Sequence, residues 1–242
     1  MAQTTDEFVI QRAKDRYFAD HGWLKTYHSF SFDQYYDPRN LNWGALRVLN
    51  DDTIAAGQGF PTHPHRDMEI ITYVLSGELA HKDSMGNVGV VGPGGVQYMS
   101  AGTGVRHSEF NHSKVKALHL VQMWLLPGRK GLKPSYGQID FNVADRLNKW
   151  LLVASGMPKE RAPVVLSQTA SFRVSRLENG VLDYPFDDDR LGFLFVAEGN
   201  VNANGARLET GDAVRMKSTP SLALSGSGEV LLWDVPPTVD VA

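Results

Sequence analysis

The chain has 242 residues, 42% of them hydrophobic and 21% charged, so it can bury one large or two small β-rich cores. Its formal net charge of -3, without a clustered Lys/Arg face, argues against a nucleic-acid-binding protein. The absence of cysteine excludes disulfides, cysteine-ligated zinc or iron–sulfur sites, and thiol nucleophiles.

The first part of the chain predicts neither a secretory signal nor a membrane span. Residues 1–14 are charged and lack the apolar core of a signal peptide, and no apolar run reaches the length needed to cross a bilayer. We therefore expect a cytoplasmic protein that does not enter a membrane.

Residues 8–50 predict short strands and turns rather than helices. Residues 21–32 are rich in aromatic side chains and alternate toward their end, as strand residues do. A turn is expected at residues 35–38 and a short strand at 46–49. His21 and His28 could be metal ligands, but isolated histidines more commonly have packed or hydrogen-bonded structural roles.

The next part of the chain predicts strands separated by glycine-containing turns. The strands are expected at residues 68–79, 96–99 and 117–126, and the turns at 83–87 and 92–95. The first of these runs is apolar on both faces, which is typical of a strand covered on both sides. His81, beside a turn, and His119, inside the last strand, are interpreted as surface or packed histidines.

The second half predicts one short helix and then strands. The helix is expected at residues 143–150, with Asn142 able to cap it. The strands are expected at residues 163–167, 172–177, 191–197, 200–208, 213–216, 222–224 and 230–235. The fourth contains a turn-like Asn-Gly and can be two strands. Two β-rich halves joined near residues 138–160 predict two barrels or one bipartite sandwich.

All eight histidines lie in the first half of the chain. A metal site built from imidazoles must therefore belong to that half. Besides those already named, they are His63, His65, His107 and His112.

Two short pairs have the spacing of metal ligands: His63-x-His65 and His107-x-Glu109. Residues i and i+2 of an extended strand point to the same side, so each pair can converge on one ion. An ion that accepts five or six ligands would keep room for water, substrate or dioxygen, which indicates a catalytic rather than a sealed site. The alternative is a set of polar residues on a solvated sheet face.

A second carboxylate competes with Glu109. Strict alternation from His63 and His65 would place Asp67 and Glu69 on the same face, unless a β-bulge breaks the alternation. Spacing alone leaves the choice of carboxylate open.

These residues resemble the two signature motifs of the cupin superfamily. The matching patterns are Gly57…His63-x-His65…Glu69…Gly77 and Gly104-x-x-His107…Asn111. The chain departs from the motifs at Gly77, one residue later than usual, and at Gly102, where cupins usually have proline.

More narrowly, residues 21–38, 63–69 and 100–109 resemble the pirin family, in particular its bacterial quercetinase-like members. The likeness has specific motifs from about residue 20 to 140 and is general beyond. It implies an all-β bicupin of two β-barrel (double-stranded β-helix) domains with few short helices. The implied divisions are an N-terminal cupin domain with the metal site (1–137), a linker with a short helix (138–160) and a metal-free cupin-like domain (161–242).

The resemblance also implies the ligand set. The positions that match pirin ligands are His63, His65, His107 and Glu109, which favours Glu109 over Glu69. The family usually holds iron, so we expect one divalent ion, Fe²⁺, with Ni, Mn, Co, Cu or Zn as alternatives. No further cofactor is expected.

For function, the resemblance implies a metal-dependent dioxygenase that opens a ring of a flavonol such as quercetin, with dioxygen as co-substrate. Glu109 would be the catalytic residue that accepts the hydroxyl proton of the substrate. The alternative is a metal-binding regulatory protein that acts through a protein partner. Neither function requires direct binding of nucleic acid.

Overall fold

The computed structural model describes residues 7–237, and its regular structure is almost entirely β-strand. The predicted all-β class is confirmed. By their contacts, the residues form two compact units. The N-terminal unit comprises residues 17–42 and 46–142, and the C-terminal unit comprises residues 7–16, 43–45 and 143–237.

Strand β1 (Glu7–Gln11) opens the described chain and is followed by a short 3-10 helix, Ala13–Asp15. β1 pairs antiparallel with a strand late in the chain, Ala213–Lys217, and so belongs to the C-terminal unit. The sequence-based division at residues 137 and 160 stays a prediction. The pairing of β1 shows that its place in the sequence does not decide which core it joins.

The N-terminal unit contains two antiparallel sheets. Its strands are β2 (Tyr17–Asp20), β3 (Leu24–His28), β4 (Leu46–Ile54), β5 (Gly59–His65), β6 (Glu69–Ser76), β7 (Leu79–Asp83), β8 (Val88–Val91), β9 (Val96–Ser100), β10 (Val105–Asn111), β11 (Leu118–Leu125) and β12 (Ser135–Ile139). The large sheet has the order β12-β9-β6-β11-β4-β3-β2, and the small sheet has the order β5-β10-β7-β8. The strands that carry the two ligand pairs, β5 and β10, are therefore neighbours.

The core of the N-terminal unit draws side chains from both of its sheets. Leu24 and Val74 of the large sheet are buried in one cluster with Leu79 and Val91 of the small sheet. The strict alternation of buried and exposed residues along β3 gives that strand one inward face. Removing these apolar side chains from water stabilises the packing of the two sheets.

The strand predicted at residues 68–79 is two strands in the structure. β6 ends at Ser76, and Gly77 turns the chain with a φ of +84° before β7 begins at Leu79. A left-handed backbone is accessible to glycine at little cost, so the glycine rather than the apolar run decides the break. The burial of nearly all of β6 confirms that it is covered on both sides, and the hairpin turn predicted at residues 83–87 is confirmed.

The C-terminal unit contains one large sheet. Its remaining elements are α1 (Val143–Arg146), β13 (Leu151–Ser155), β14 (Val164–Val165), β15 (Ser171–Pro185), β16 (Leu191–Ala203), β17 (Ala206–Glu209), β18 (Ala213–Lys217) and β19 (Ser221–Val235). The strand order is β1-β18-β16-β19-β15-β13-β14, and β17 pairs with β16. The predicted helix is present but is only four residues long.

Two pairs of predicted strands merge in the C-terminal unit. Residues 222–224 and 230–235 form one strand, β19, although Ser225-Gly226-Ser227-Gly228 has the composition of a turn. β19 is paired on both sides, with β15 and β16, and these ladders hold the glycine-rich stretch extended. β16 likewise runs without interruption to Ala203, and the expected Asn204-Gly205 turn follows it.

Candidate metal centre

The antiparallel pairing of β5 with β10 brings the two ligand pairs together. His107 lies opposite His63, and Val105 lies opposite His65. Inward positions on β10 alternate, so His107 and Glu109 are both buried on the same face of the strand. The pairing of the strands therefore brings the two ligand pairs together, which the spacing of residues within each strand cannot do alone.

The two strands approach closely because of a bulge and a glycine. The register shifts between His107 and Glu109, so that Glu109 lies opposite Phe60 and two residues of β5, Pro61 and Thr62, lie against the single residue Ser108. Farther along, a Cβ atom on Gly59 would lie 2.2 Å from the carbonyl oxygen of Glu109. Only glycine permits the backbones of β5 and β10 to come this near beside the site.

Three imidazoles form a compact group. The ring centroids of His63 and His107 are 4.4 Å apart, and each is 4.8 Å from that of His65. One nitrogen from each of the three rings lies within 4.8 Å of the others, a spacing that one ion can bridge. Glu109 belongs to a second, fully buried group with His107 and His81, so His107 is common to both groups.

The carboxylate of Glu109 is held by two amides. Gln97 on β9 donates a 2.5 Å hydrogen bond to Oε1, and Gln122 on β11 donates a 2.9 Å bond to Oε2. Gln122 Oε1 in turn accepts from the indole N–H of Trp124 at 3.1 Å. These two amide donors fix the orientation of the carboxylate, as partners of metal ligands commonly do.

Two of the three histidines, His65 and His107, have the protonation state that a cation needs. Burial and the neighbouring His107 and His63 lower the pKa of His65 to about 4, and burial and the neighbouring His63 and His81 lower the pKa of His107 to about 3. Both rings are therefore neutral near pH 7. His63 Nδ1 lies 2.8 Å from the carbonyl oxygen of Pro61, a bond in which Nδ1–H donates, so Nε2 is the nitrogen of this ring that can face an ion.

A metal ion fits this donor set. Both ring nitrogens of His107 are buried and have no hydrogen-bond partner among residues 7–237. Buried imidazole nitrogens without a partner are rare, because the loss of hydration is then uncompensated. Neutral imidazoles beside an oriented carboxylate are the ligands expected of a divalent transition metal.

The competing carboxylates lie elsewhere. β5 ends at His65, and Asp67 adopts a φ of +46°, so the alternation that would have carried Asp67 and Glu69 to the same face stops before them. Asp67 accepts a hydrogen bond from the backbone N–H of Gly131, and Glu69 accepts one from the hydroxyl of Tyr98. Neither belongs to a ligand group among the described residues.

The remaining histidines are packed, cavity-lining or, in the case of His112, exposed. His81 is buried, with Nε2 3.1 Å from an oxygen of Asp83 and its ring stacked on Tyr136 at 4.2 Å. His119 lies 2.6 Å from Asp51. These positions are consistent with the surface or packed roles expected for the two histidines, since His81 is buried and His119 is partly exposed, although His81 also neighbours the site.

A cavity of about 380 Å³ opens beside the ligands and is lined by residues of the N-terminal unit. Its lining residues are His21, Leu24, Thr26, His28, Phe32, Asp33, Asn50, Asp52, Phe60, His63, His65, Glu109, Gln122 and Trp124. His21 and His28 were expected to have packed or hydrogen-bonded structural roles, but both also border this cavity. No helix in the part of the chain that the structure describes is long and apolar enough to cross a membrane.

Gln97, Gln122 and Trp124 border the site but were not predicted from the sequence. Gln97 and Gln122 each stand alone among apolar residues in a strand, within Val-Gln-Tyr-Met and Leu-Val-Gln-Met. A single amide in such a run is a signal of a buried polar contact. The signal names no partner, because the contacts with Glu109 depend on how the two sheets of the N-terminal unit pack together.

Known proteins similar to this chain cover both of its halves. The family model described as pirin matches residues 11–125, and the model described as quercetinase C-terminal cupin domain matches residues 152–235. A protein of Escherichia coli named quercetin 2,3-dioxygenase is 42% identical over 230 residues, which are 94% of this chain and 98% of that protein. A pirin-like protein of Caulobacter vibrioides is 43% identical over 219 residues, 89% of this chain and 94% of its own.

A solved structure shows the same fold with a metal. The crystal structure of the bacterial pirin YhhW from Escherichia coli in complex with nickel(II) has a TM-score of 0.89 and 40% identity, covering 96% of this chain and 100% of that one. The predicted bicupin fold is confirmed by this match and by the two family models. The matches and the histidine group together support a metal-dependent cupin.

Proposed function

Because the chain belongs to the pirin family, among its bacterial quercetinase-like members, we propose that it is a metal-dependent dioxygenase that opens a ring of a flavonol such as quercetin. The observation that carries the proposal is the position of the ligand group at the wall of a cavity of about 380 Å³. That volume lies in the range of cavities that enclose small molecules.

The residues proposed to hold the ion are His63, His65, His107 and Glu109, and the ion is expected to be Fe²⁺. Nickel(II) in YhhW is an example of another divalent ion in a related protein. A bound ion would supply a Lewis acid and a template for the adjacent hydroxyl and carbonyl oxygens of the flavonol.

Glu109 is proposed to take the hydroxyl proton of the substrate on a carboxylate oxygen. Both carboxylate oxygens accept amide hydrogen bonds, so Gln97 and Gln122 hold the carboxylate in one orientation before proton transfer. A base that is held in place loses less freedom when it reacts than a mobile one.

The aromatic walls are proposed to hold the flat rings of the substrate and to exclude water. Trp124 packs edge-on against Phe32 at 5.3 Å and against His65 at 4.9 Å, so the wall adjoins the proposed ligands. Phe60 lies on the same cavity. A rigid aromatic wall favours a planar ligand over a flexible one.

The test is a comparison of metal content and oxygen consumption on a panel of flavonols. The double variant His63→Ala, His107→Ala should lose both bound metal and oxygen uptake. His112→Ala removes an exposed histidine outside the cavity and should behave as the wild type. Full oxygen uptake by the metal-free double variant would rule out the proposed mechanism.

A second candidate function is a metal-dependent regulatory protein that binds a protein partner. The observation in its favour is the exposure of Met85, Val88 and Val90 in and beside β8, an outer strand of the small sheet that carries the site. A good kcat/KM with a flavonol would favour the enzyme. Negligible turnover with unchanged metal binding would favour the regulatory protein, and a cytoplasmic location is expected for both.

A further inference from the structure

We propose that Thr26 and Asn50 form a hydroxyl-recognition subsite in the cavity, which selects aromatic ligands that carry a hydroxyl group away from the metal-binding end. The inference rests on the proposed function and narrows its substrate class. The subsite lies on a wall of the cavity that contains none of the proposed metal ligands.

The subsite lies on two neighbouring strands of the large sheet. Asn50 on β4 lies opposite His28 on β3, and Thr26 on β3 lies opposite Asp52 on β4. All four residues line the cavity. In this part of the large sheet the face toward the cavity is polar. Farther along the same two strands, Leu24 and Ile54 belong to the apolar core.

The subsite is connected to the metal centre through one residue. Gln122, whose amide donates to Glu109, lies opposite Asn50 in the pairing of β11 with β4. From strand spacing and rise, Asn50 lies about 5 Å and Thr26 about 12 Å from Gln122, Cα to Cα. A ring system anchored at the metal can therefore extend along this wall.

Two buried oxygens on the wall have no partner. Asn50 is 4% exposed and Thr26 is 2% exposed. Asn50 Oδ1 and Thr26 Oγ1 make no hydrogen bond with any residue the structure describes. Since buried polar atoms are nearly always paired, these two indicate that a partner arrives from outside the chain.

The chemistry of the pair indicates a neutral hydroxyl. An amide oxygen accepts a hydrogen bond, and a threonine hydroxyl can accept or donate. The terminal torsion of asparagine is soft, so the amide can turn toward a ligand. Asp52 and Asp33 border the same cavity and would repel a carboxylate or phosphate.

Binding measurements on the nickel-loaded protein without oxygen test the subsite. The probes are quercetin and 3-hydroxyflavone, which share the chelating hydroxyl and carbonyl groups, while 3-hydroxyflavone lacks every other hydroxyl. We expect the wild type to bind quercetin more tightly than 3-hydroxyflavone. Thr26→Val and Asn50→Leu should each reduce this preference, measured as the Kd for 3-hydroxyflavone divided by the Kd for quercetin, about tenfold. Their affinity for 3-hydroxyflavone should stay close to that of the wild type.

A matched control separates recognition from packing. Thr53→Val makes the same chemical change on the exposed face of β4 and should leave the ratio unchanged. Thr26→Val should also keep or raise the Tm of the ligand-free protein, because it replaces an unpartnered buried hydroxyl by a methyl group of similar shape. A residue with a merely structural role would lower the Tm instead.

Each outcome has one meaning. Equal loss of affinity for both probes in the Thr26 and Asn50 variants overturns the subsite, and so does a wild type that binds both probes without preference. If the wild type binds neither probe, the proposed function fails and the subsite with it. A changed ratio in both variants, with Thr53→Val unchanged, supports the inference.

Discussion

Gln122 Nε2 donates a 2.9 Å hydrogen bond to Oε2 of Glu109. Gln122 belongs to the large sheet of the N-terminal unit and Glu109 to its small sheet, so this bond joins the two sheets at the candidate metal centre. The proposed ligand is thus oriented by a strand that carries no ligand. Support of this kind commonly contributes to the affinity of a metal site.

Replacing Gln122 by leucine should weaken metal binding about 10- to 100-fold, because Glu109 would lose one of its two orienting donors. The measurement is competition for nickel against a chelator of known affinity. Gln138→Leu, at an exposed position of β12, is the control and should bind nickel as the wild type does. Unchanged nickel affinity in the Gln122 variant would show that Gln97 alone orients Glu109 well enough for metal binding.

The choice between Glu109 and Glu69 can be tested with isosteric amides. Glu109→Gln should lower metal affinity by more than about tenfold, because it removes the negative charge at the ion. Glu69→Gln keeps an acceptor for the hydroxyl of Tyr98 and should leave the metal content unchanged. The reverse order of the two effects would identify Glu69 as the ligand.

Gly59→Ala should separate β5 from β10. The added Cβ would meet the carbonyl oxygen of Glu109 at 2.2 Å and Cα of Phe110 at 2.5 Å, and both are backbone atoms. We expect a loss of about 1–3 kcal/mol in the free energy of unfolding, together with weaker metal binding. Gly137→Ala, where nothing lies within 4 Å of the new Cβ, is the matched control for thermal unfolding.

The stability of the metal-free protein should fall as the pH is lowered from 6.5 toward 4. The pKa of His65 is lowered from 6.5 to about 4 and that of His107 from 6.5 to about 3, chiefly by burial. Within this window the unfolded chain binds protons at these rings and the folded chain does not, so acid favours unfolding. Above pH 6.5 both states are neutral there, and this contribution to the pH dependence disappears.

Thermal unfolding of the metal-free wild type and of His107→Leu over this range of pH measures the effect. The variant should show a smaller drop in Tm on acidification, because one of the two imidazoles that resist protonation is gone. If the Tm of both proteins fell equally with pH, His107 would not contribute to the loss of stability in acid.

Local periodicity made part of the site predictable. His63 and His65 on one strand, and His107 and Glu109 on another, share a face because strand side chains alternate with a period of two. The hairpin turn of residues 83–87 was predictable for a similar reason, since glycine and asparagine mark such turns within a few residues. These inferences needed no information about distant parts of the chain.

Contacts between strands could not be predicted in this way. The pairing of β5 with β10, the bulge beside Glu109, the amides of Gln97 and Gln122, and the place of β1 in the C-terminal unit all depend on which strands meet. The strands predicted separately at residues 222–224 and 230–235 form one strand, because ladders on both sides of β19 hold the residues between them extended.

By itself, the sequence determined that any imidazole metal site lies in the first half of the chain, that cysteine takes no part, and which short pairs can face one ion. Only the tertiary structure decided that His63, His65 and His107 meet, and that Glu109, unlike Glu69, shares a group with His107 and His81 among the described residues. The physical reason is that side-chain direction follows from local backbone geometry, whereas the register of two strands follows from the packing of the whole unit.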